Sequence, residues 1–231
     1  MTELIQRLRL ASLARKMRSD WDRRAREDAL HYVNTGQERW DEDAFFATGE
    51  ANVQDQILSE MTEICQGREP AGMRVLEIGC GVGRMTRALA AVFGEVHGVD
   101  VSPEMVRRAR KYLQSTSNVH VHCNSGTDLQ VLGDLGFDFA YSFIVFQHIP
   151  SRDVIDRYVG EVSRRLRSGS IFKFQVQGHH GRGLRKPGRD TWLGTSFSES
   201  EAAAMATRHG FDLQRSAGAG TQYFWLWFRK R

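Results

Sequence analysis

The stretch that decides the fold is Val75-Leu76-Glu77-Ile78-Gly79-Cys80-Gly81-Val82-Gly83-Arg84. A short apolar run ends in three glycines at alternating positions, and a helical pattern follows as far as Phe93. Glycines let the backbone turn sharply and approach a ligand closely, and the N-terminus of the following helix points at that ligand. The stretch therefore predicts a strand, a ligand-binding turn and a helix, with a nucleoside-like cofactor as the ligand.

Two details of the stretch separate the candidate cofactors. A dinucleotide fingerprint, G-x-G-x-x-G, needs a third glycine where Arg84 stands. Glu77 precedes the turn, and a carboxylate repels a diphosphate but attracts a sulfonium or an ammonium group. The residues resemble motif I of the class I S-adenosylmethionine-dependent methyltransferases, E/D-x-G-x-G-x-G, at each defined position. The resemblance implies that S-adenosyl-L-methionine is bound by the residues Glu77, Gly79, Cys80, Gly81, Gly83 and Arg84.

Strand-like and helix-like segments alternate after this turn, which is typical of βαβ units and a largely parallel sheet. Two closing strands around the small-residue turn 217–220 predict an antiparallel hairpin at one edge. Together with the resemblance, this predicts an α/β, Rossmann-like class I methyltransferase fold with a seven-stranded, mostly parallel sheet. Residues 71–231 would form that domain, and residues 1–70 an N-terminal helical cap. The predicted strands are Val75–Ile78, Val96–Val99, Val119–His122, Phe137–Phe143, Ile171–Val176, Phe211–Arg215 and Tyr223–Arg229.

Acidic and polar residues at the predicted strand ends indicate an adenosine site. Asp100 follows the second strand, where a carboxylate can accept hydrogen bonds from both ribose hydroxyls. Val101 and Met105 would cover the adenine face. Nicotinamide-dependent enzymes have an aspartate at the same place, so Asp100 indicates an adenosine ligand but does not distinguish S-adenosylmethionine from NAD.

After the third strand, Gly126-Thr127-Asp128-Leu129 aligns with the G-x-D-L form of the methyltransferase family. The alignment puts Asn124 or Ser125, with Gly126, beside the adenine amino group. The aspartate usual in the family is missing there, and a plain polar turn explains these residues equally well.

The fourth strand and the residues after it, Phe137-Asp138-Phe139-Ala140-Tyr141-Ser142 and then Gln147-His148-Ile149-Pro150, resemble the family segment that lines the methyl-donor channel. The resemblance places Ser142 near the methionine part of the cofactor and Gln147 near the acceptor. His148 is the titratable residue at the expected transfer point, either as a general base or as a helix-entry histidine bonded to a backbone carbonyl. No D/N-P-P-F/Y tetrapeptide follows the strand, which argues against a base-modifying DNA enzyme.

Candidate acceptor residues are aromatic or basic and lie in three separate parts of the chain. Residues 178–189 hold four glycines, four cations and two histidines, including His179 and Arg182, and are either an anion-binding lid or a solvated loop. The aromatic residues Tyr32, Phe46 and Tyr223 would line an acceptor pocket; strand-period aromatics such as those of the tail otherwise belong to the core. The adjacent histidines lack a carboxylate at ligand spacing, so no metal site is predicted.

The N-terminal segment is strongly polarised in charge. Residues 1–26 carry eight cations against three carboxylates, whereas residues 27–70 carry two cations against eleven. The first segment predicts an amphipathic helix with three alternative roles: a helix packed at the domain edge, a mobile cap over the pocket, or a membrane contact. A uniformly basic face for nucleic acid is not what these charges indicate.

Composition fits one α/β domain with an extension. The chain has 231 residues, 41% hydrophobic and 26% charged, and a net charge of +4. Its apolar runs are all shorter than the roughly 20 residues that span a bilayer, so no membrane-spanning segment is expected, and apart from the alternative given for the first helix no membrane partner is predicted. Three widely spaced cysteines imply neither a disulfide framework nor a zinc site, and a cytoplasmic location is the simplest interpretation.

The predicted reaction is methyl transfer from S-adenosylmethionine to an oxygen or nitrogen of a small molecule, possibly aromatic or anionic in character, releasing S-adenosylhomocysteine. An RNA- or protein-directed methyltransferase would use the same cofactor residues. A nicotinamide-dependent oxidoreductase is disfavoured by Glu77 and Arg84, and a non-catalytic cofactor-binding protein is compatible with the motifs. The acceptor and the oligomeric state are not encoded in a readable motif.

Overall fold

A computed structural model describes residues 2–179 and 191–231. A seven-stranded sheet lies between two layers of helices. Its strands are β1 (Arg74–Ile78), β2 (Glu95–Asp100), β3 (Val119–Cys123), β4 (Phe137–Ser142), β5 (Leu166–Val176), β6 (Phe211–Ala217) and β7 (Phe224–Lys230). The helices are α1 (Thr2–Val33), α2 (Glu42–Gln56), α3 (Met61–Cys65), α4 (Arg84–Ala90), α5 (Pro103–Tyr112), α6 (Arg152–Arg165) and α7 (Glu199–Arg208).

The strand order is β3-β2-β1-β4-β5-β7-β6. The first five strands in this order pair in parallel, while β7 is antiparallel to both β5 and β6. The predicted α/β fold with a C-terminal antiparallel hairpin is therefore confirmed. The order reverses between β1 and β4, and ligands of open parallel sheets bind at such a switch point, outside the carboxyl ends of the strands.

The two faces of the sheet carry separate apolar clusters. On one face, α6 and α7 pack over β4 and β5, with Tyr158, Met205 and Phe172 among the buried side chains. On the other, α2, α3 and α4 pack over β1 and β4, with Val53 and Phe139 buried there. Every residue of β4 is buried, as expected for a central strand covered on both faces.

One boundary differs clearly from the sequence-based prediction. β5 begins at Leu166, five residues before the predicted start at Ile171, because Leu166 already pairs with Phe137. Gly169, with φ of 82°, lies between the two parts of the strand, and the β4–β5 register shifts between Phe137 and Phe139. An irregular strand of this kind loses the strict alternation that reveals strands in a sequence.

The N-terminal helices lie against the sheet domain rather than apart from it. α1 is longer than predicted and is interrupted at Asp28, whose φ of −161° and ψ of 93° are extended. The Asp28 carboxylate accepts a hydrogen bond from the backbone N–H of His31 at 3.0 Å, which restarts the helix. α2 approaches α4 so closely that a Cβ on Gly49 would lie 2.2 Å from the carbonyl oxygen of Arg84. The division of the chain at residue 70 stays a prediction.

Among the helices in the described part of the chain, none has the length and apolar character that a bilayer crossing requires.

Candidate functional site

A cavity of about 610 Å³ opens at the carboxyl ends of β1, β2 and β4. Its volume is in the range of about 300–1,000 Å³ that is typical of small-molecule sites. Fourteen of the predicted site residues line it: Tyr32, Glu77, Gly79, Cys80, Gly81, Arg84, Asp100, Val101, Met105, Asn124, Gly126, Gln147, His148 and Tyr223.

Five predicted residues do not reach the cavity, and local contacts explain two of them directly. Ser142 is buried, and its hydroxyl donates a hydrogen bond to the carbonyl oxygen of Ile78 at 2.9 Å, which ties the ends of β4 and β1 together. Phe46 is 1% exposed and packs edge-on against Phe45 and Tyr112. Both side chains therefore support the walls of the site instead of lining it.

The other three are Gly83, Ser125 and His179. Gly83 adopts φ of 92° as the N-cap of α4, where a Cβ would lie 2.6 Å from Leu113. Ser125 is exposed and accepts hydrogen bonds from the backbone within its own turn. For Ser125, the structure therefore favours the alternative of a plain polar turn over a contact with adenine. His179 is exposed, with Nδ1 at 3.1 Å from the carbonyl oxygen of Gly220. Arg182 lies outside the described residues.

The glycine turn between β1 and α4 has the conformation that its glycines allow. Gly79 and Gly81 have φ of 77° and 54°. A Cβ on Gly79 would lie 2.2 Å from Val145, so the turn packs directly against the loop that follows β4. The amides of Gly79 and Cys80 donate to the carbonyl oxygen of Val99 at 2.7 and 3.0 Å. These contacts fix the main chain of the turn across the end of β2.

Asp100 ends β2 at the floor of the cavity. Its carboxylate accepts hydrogen bonds from the amides of Gly81 at 3.0 Å and Ser102 at 2.8 Å. Although the carboxylate faces the cavity, burial raises the pKa of Asp100 to about 6. Each carboxylate oxygen has a lone pair left for a further donor, so a pair of vicinal hydroxyls fits this position.

Glu77 and Arg84 are two buried groups of opposite charge that both line the cavity. Glu77 is 4% exposed and accepts a hydrogen bond from Thr86 at 2.6 Å, and burial raises its pKa to about 7. Arg84 is 5% exposed and donates to Thr48 at 3.1 Å and to Asn52 at 2.6 Å, and burial lowers its pKa. One negative and one positive group on the same wall match the zwitterion of an amino acid.

Three buried polar atoms in the cavity wall have no hydrogen-bond partner among the described residues. They are Nε of Arg84, Oδ1 of Asn124 and Oε1 of Gln147. The amide nitrogen of Asn124 donates to the hydroxyl of Tyr158 at 2.8 Å, which leaves Oδ1 to accept. Because buried polar groups are normally paired, these three atoms indicate where ligand groups make hydrogen bonds.

His148 follows β4 and lines the cavity. Its Nδ1 is 2.5 Å from the carbonyl oxygen of Trp192, so Nδ1 carries the proton and Nε2 has the lone pair. The side-chain nitrogen of Gln147 is 3.4 Å from Nε2. The ring of His148 stands edge-on to Trp21 at 5.4 Å and tilted against Trp192 at 5.1 Å. His148 is thus bonded to a backbone carbonyl and lines the cavity at the same time.

The residues that sequence reasoning missed are chiefly Trp21 and Trp192, which line the cavity with Tyr32 and together form what we call the aromatic wall. The guanidinium of Arg24 lies 4.7 Å from the ring of Trp21 and 5.2 Å from that of Trp192. Trp21 belongs to the apolar stripe of α1, whose period gives no sign of a ligand. The contact between residues 21 and 192 is visible only in three dimensions.

Ile144 has φ of 55°, the left-handed region that β-branched residues avoid. It follows β4, lines the cavity, and donates its N–H to Oε1 of Gln175 at 3.1 Å. Such strain costs about 1–3 kcal/mol and occurs most often where a ligand site dictates the backbone. The strained turn bears directly on the position of Val145, which packs on Gly79.

Comparison with known proteins agrees with this geometry. A family model described as a methyltransferase domain matches residues 75–169. A ubiquinone biosynthesis O-methyltransferase of Xanthomonas axonopodis pv. citri is 34% identical over 90 residues, which cover 38% of each chain. Its counterpart in Xanthomonas oryzae pv. oryzae is 33% identical over 88 residues, which cover 38% of this chain and 37% of the relative. The matches thus span less than two-fifths of these relatives' length.

Solved structures with the same fold cover nearly the whole chain. Magnesium protoporphyrin IX methyltransferase from Synechocystis PCC 6803, with bound SAM, has a TM-score of 0.65 at 16% identity, covering 95% of this chain and 97% of that one. DesVI of Streptomyces venezuelae has a TM-score of 0.62 at 18% identity, covering 80% and 95%. At these identities the likeness shows the fold. Together with the family match, it confirms the predicted resemblance: residues 75–169 match a methyltransferase domain, and the fold is the one found in solved S-adenosylmethionine-dependent methyltransferases.

Proposed function

We propose that the protein transfers a methyl group from S-adenosyl-L-methionine to an oxygen or nitrogen of a small molecule and releases S-adenosyl-L-homocysteine. The observation that carries the proposal is the cavity, which is lined both by the glycine turn, Glu77 and Asp100 and by His148 and the aromatic wall. A donor site and an acceptor site therefore share one enclosed space.

The chain's own groups fit the donor. Asp100 would accept both ribose hydroxyls, and Oδ1 of Asn124 would accept from the adenine amino group. Glu77 would face the ammonium and sulfonium charges, and Nε of Arg84 would donate to the carboxylate. Two of these atoms, on Asn124 and Arg84, are buried without a partner in the described part of the chain, which supports their assignment to a ligand. When bound, the donor supplies a methyl group on a positively charged sulfur, open to attack by a lone pair.

The residues of the acceptor end would orient the acceptor and receive its proton. Because Nδ1 of His148 contacts the carbonyl oxygen of Trp192, Nε2 is the ring nitrogen that would accept a proton from a hydroxyl or an amine. The rings of Trp21 and Trp192 would supply flat apolar surface beside that residue. Much of the rate would come from alignment, which is worth several kcal/mol in well-oriented reactions, about 7–11 at the upper end.

The acceptor class follows from the aromatic wall and from Gln147. Flat apolar faces of Trp21, Tyr32 and Trp192 favour an aromatic or conjugated acceptor. The unpartnered Oε1 of Gln147 would accept a hydrogen bond from an O–H or N–H of the acceptor other than the hydrogen that His148 receives. The curated relatives are named as O-methyltransferases, which supports an oxygen acceptor. An anionic acceptor held by Arg182 stays a prediction.

A cytoplasmic enzyme without a nucleic-acid or membrane partner is part of the proposal. Cys65, Cys80 and Cys123 are free thiols, and two of them are buried, which suits a reducing compartment. The cations Arg23 and Arg26 of α1 already pair with Glu27 and Asp22 within the helix. This leaves less free positive charge on α1 for RNA.

The decisive experiment combines donor binding with an acceptor panel. Calorimetric titration of the full chain with S-adenosylmethionine and with NAD identifies the cofactor. S-adenosylhomocysteine release is then measured with hydroxylated aromatic compounds, amines, bulk RNA and a protein mixture. We expect S-adenosylmethionine binding and turnover on a small aromatic hydroxyl or amine. Turnover on RNA or protein alone, tighter binding of NAD, or donor binding without any turnover would each overturn the proposal.

A further inference from the structure

A cluster of metal-ligating side chains lies outside the cavity, on the paired strands β2 and β3. Glu95 and His97 are two residues apart on β2, so both point to one face of the sheet. On β3, His120 and His122 share a face for the same reason, and the parallel register places His97 beside His120. Three of the eight histidines of the chain therefore meet at one place.

The distances within the cluster are close to those of a metal site. Oε1 of Glu95 lies 2.6 Å from Nε2 of His97 and 3.8 Å from Nε2 of His120. One ligand atom from each of the three residues lies within 4.8 Å of the other two. Tetrahedral zinc, with bonds of about 2.0–2.2 Å to nitrogen and oxygen, needs ligand atoms about 3.3 Å apart. To reach that spacing, the closest pair would have to separate by under an ångström, and no other pair would have to approach by more than about 1.5 Å.

Further hydrogen bonds orient two of the ligand side chains, as is usual for metal ligands. Nε of Arg74 donates to the other oxygen of Glu95 at 2.7 Å, which leaves Oε1 facing the two imidazoles. Nδ1 of His97 lies 3.1 Å from Nε2 of His122, and the two rings are stacked with an angle of 4° between them. The His97 ring is therefore fixed with Nε2 towards Glu95.

Burial differs between the ligands in a way that permits entry of an ion. His97 is 4% exposed and stands edge-on to Phe137 at 5.5 Å, while the side chain of His120 is 48% exposed. β3 is the edge strand of the sheet, so solvent reaches the cluster from the His120 side. A water molecule on that side would complete four-coordination.

We propose that Glu95, His97 and His120 bind one divalent transition-metal ion, with zinc as the best fit. Two imidazoles and one carboxylate are ligands that zinc accepts, whereas Mg²⁺ and Ca²⁺ prefer oxygen ligands alone. No metal site was predicted from the sequence, in which Glu95 and His120 are 25 residues apart. The site lies at the amino end of β2, three residues before Asp100, which is about 10 Å along the strand. Its effect would be to join β2 to the edge strand, independently of methyl transfer.

The test is a zinc titration of the full chain after treatment with a chelator. Wild type should bind one Zn²⁺ per chain and melt at a higher temperature with zinc than without. His120→Ala, at an exposed position whose loss leaves the core intact, should bind zinc at least about tenfold more weakly and lose that rise in melting temperature. His179→Ala is the matched control, an exposed histidine next to His180 in sequence, and it should bind zinc as wild type does.

X-ray absorption at the zinc edge should show nitrogen and oxygen neighbours with the multiple-scattering signature of imidazole, and MgCl2 should show no saturable binding. The proposal is overturned if wild type does not bind zinc, if His120→Ala binds it with unchanged affinity, or if His179→Ala loses the site instead. These measurements do not involve the methyl donor, so the site and the proposed activity stand or fall separately.

Discussion

Replacing Glu77 with glutamine should strengthen the fold and weaken the donor site at the same time. The Glu77 carboxyl is 4% exposed, and its pKa is raised from 4.5 to about 7 by burial. In the absence of ligand, ionising this group opposes folding. A bound sulfonium or ammonium would offset that cost, so the same charge should favour the complex. Glutamine keeps an oxygen that can accept the hydrogen bond from Thr86 and removes the charge.

The magnitude follows from the displaced pKa. Because the folded protein holds the proton more tightly than the unfolded chain, stability falls as the pH rises from about 4.5 to about 7 and is then constant. At about 1.4 kcal/mol for each pH unit, the total is about 3 kcal/mol at pH 8, and under about 1 kcal/mol at pH 5. Glu77→Gln should therefore gain up to that amount over wild type at pH 8 and little at pH 5.

Donor affinity should change in the opposite direction. With a pKa of about 7, Glu77 is about one-tenth ionised at pH 6 and about nine-tenths ionised at pH 8, so wild-type affinity should rise about tenfold from this group. Asp100, with a pKa of about 6, adds about a twofold rise. Glu77→Gln should keep only the twofold rise and bind at least tenfold more weakly at pH 8.

Urea unfolding at pH 5 and pH 8 measures the first effect, and calorimetric titration with S-adenosylmethionine at pH 6 and pH 8 measures the second. Glu50→Gln is the matched control, because Glu50 is on α2 with a side chain 62% exposed. The reasoning fails if Glu77→Gln is no more stable than wild type at pH 8 while the control is also unchanged. It fails as well if the variant binds the donor with wild-type affinity.

Three further predictions concern single residues of the site. Asp100→Ala should weaken S-adenosylmethionine binding at least tenfold by calorimetry, and unchanged affinity would refute the ribose assignment. His148→Gln should lower kcat for the acceptor found in the panel while the donor Kd stays within about twofold, since proton acceptance contributes about 10²–10⁴ in rate; an equal loss of donor affinity would make the residue structural. Gly79→Ala places a Cβ 2.2 Å from Val145 at φ of 77° and should cost about 2–4 kcal/mol in urea unfolding. Gly67→Ala, with φ of 81° and no atom within 4 Å, should cost about 1–2 kcal/mol, so an equal loss in both would refute the clash.

The donor end of the site was predictable because its determinants are local. Glycines at alternating positions can be recognised without knowledge of the fold, since only the backbone at Gly79 and Gly81 has to turn in this way. Asp100 was predictable for a similar reason. The strand before it is apolar, the helix after it begins with Ser102 as N-cap, and a carboxylate between the two must lie at the strand end.

Side-chain direction was not predictable where strands are buried on both faces. All six residues of β4 are buried, so alternation does not tell which of them reaches the cavity, and Ser142 is satisfied by the carbonyl oxygen of Ile78 instead. The histidines of β2 and β3 alternate correctly within each strand. Their meeting depends on the pairing of His97 with His120, and strand register is a tertiary property.

The acceptor end depends on contacts between parts of the chain that are far apart in sequence. Arg24 is 3% exposed and donates to the hydroxyl of Thr191 at 3.0 Å, and that hydroxyl donates to Asp20 at 3.0 Å. These buried hydrogen bonds fasten α1 to the segment that carries Trp192 and so bring both tryptophans to His148. Of the three roles considered for α1, the helix packed at the domain edge agrees with these contacts. α1 also forms part of the cavity wall through Trp21.

The family match covers residues 75–169 and therefore includes Glu77, Asp100 and His148 but neither Trp21 nor Trp192. The shared part of the chain therefore holds the residues proposed to bind the donor and the proposed proton acceptor. The surfaces that would contact the acceptor lie outside it, on α1 and on the segment after residue 190. A relative that matches only the shared part can therefore use the same donor on a different acceptor. The acceptor of this protein is to be sought through the aromatic wall, and substitutions at Trp21 should change acceptor preference before they change donor affinity.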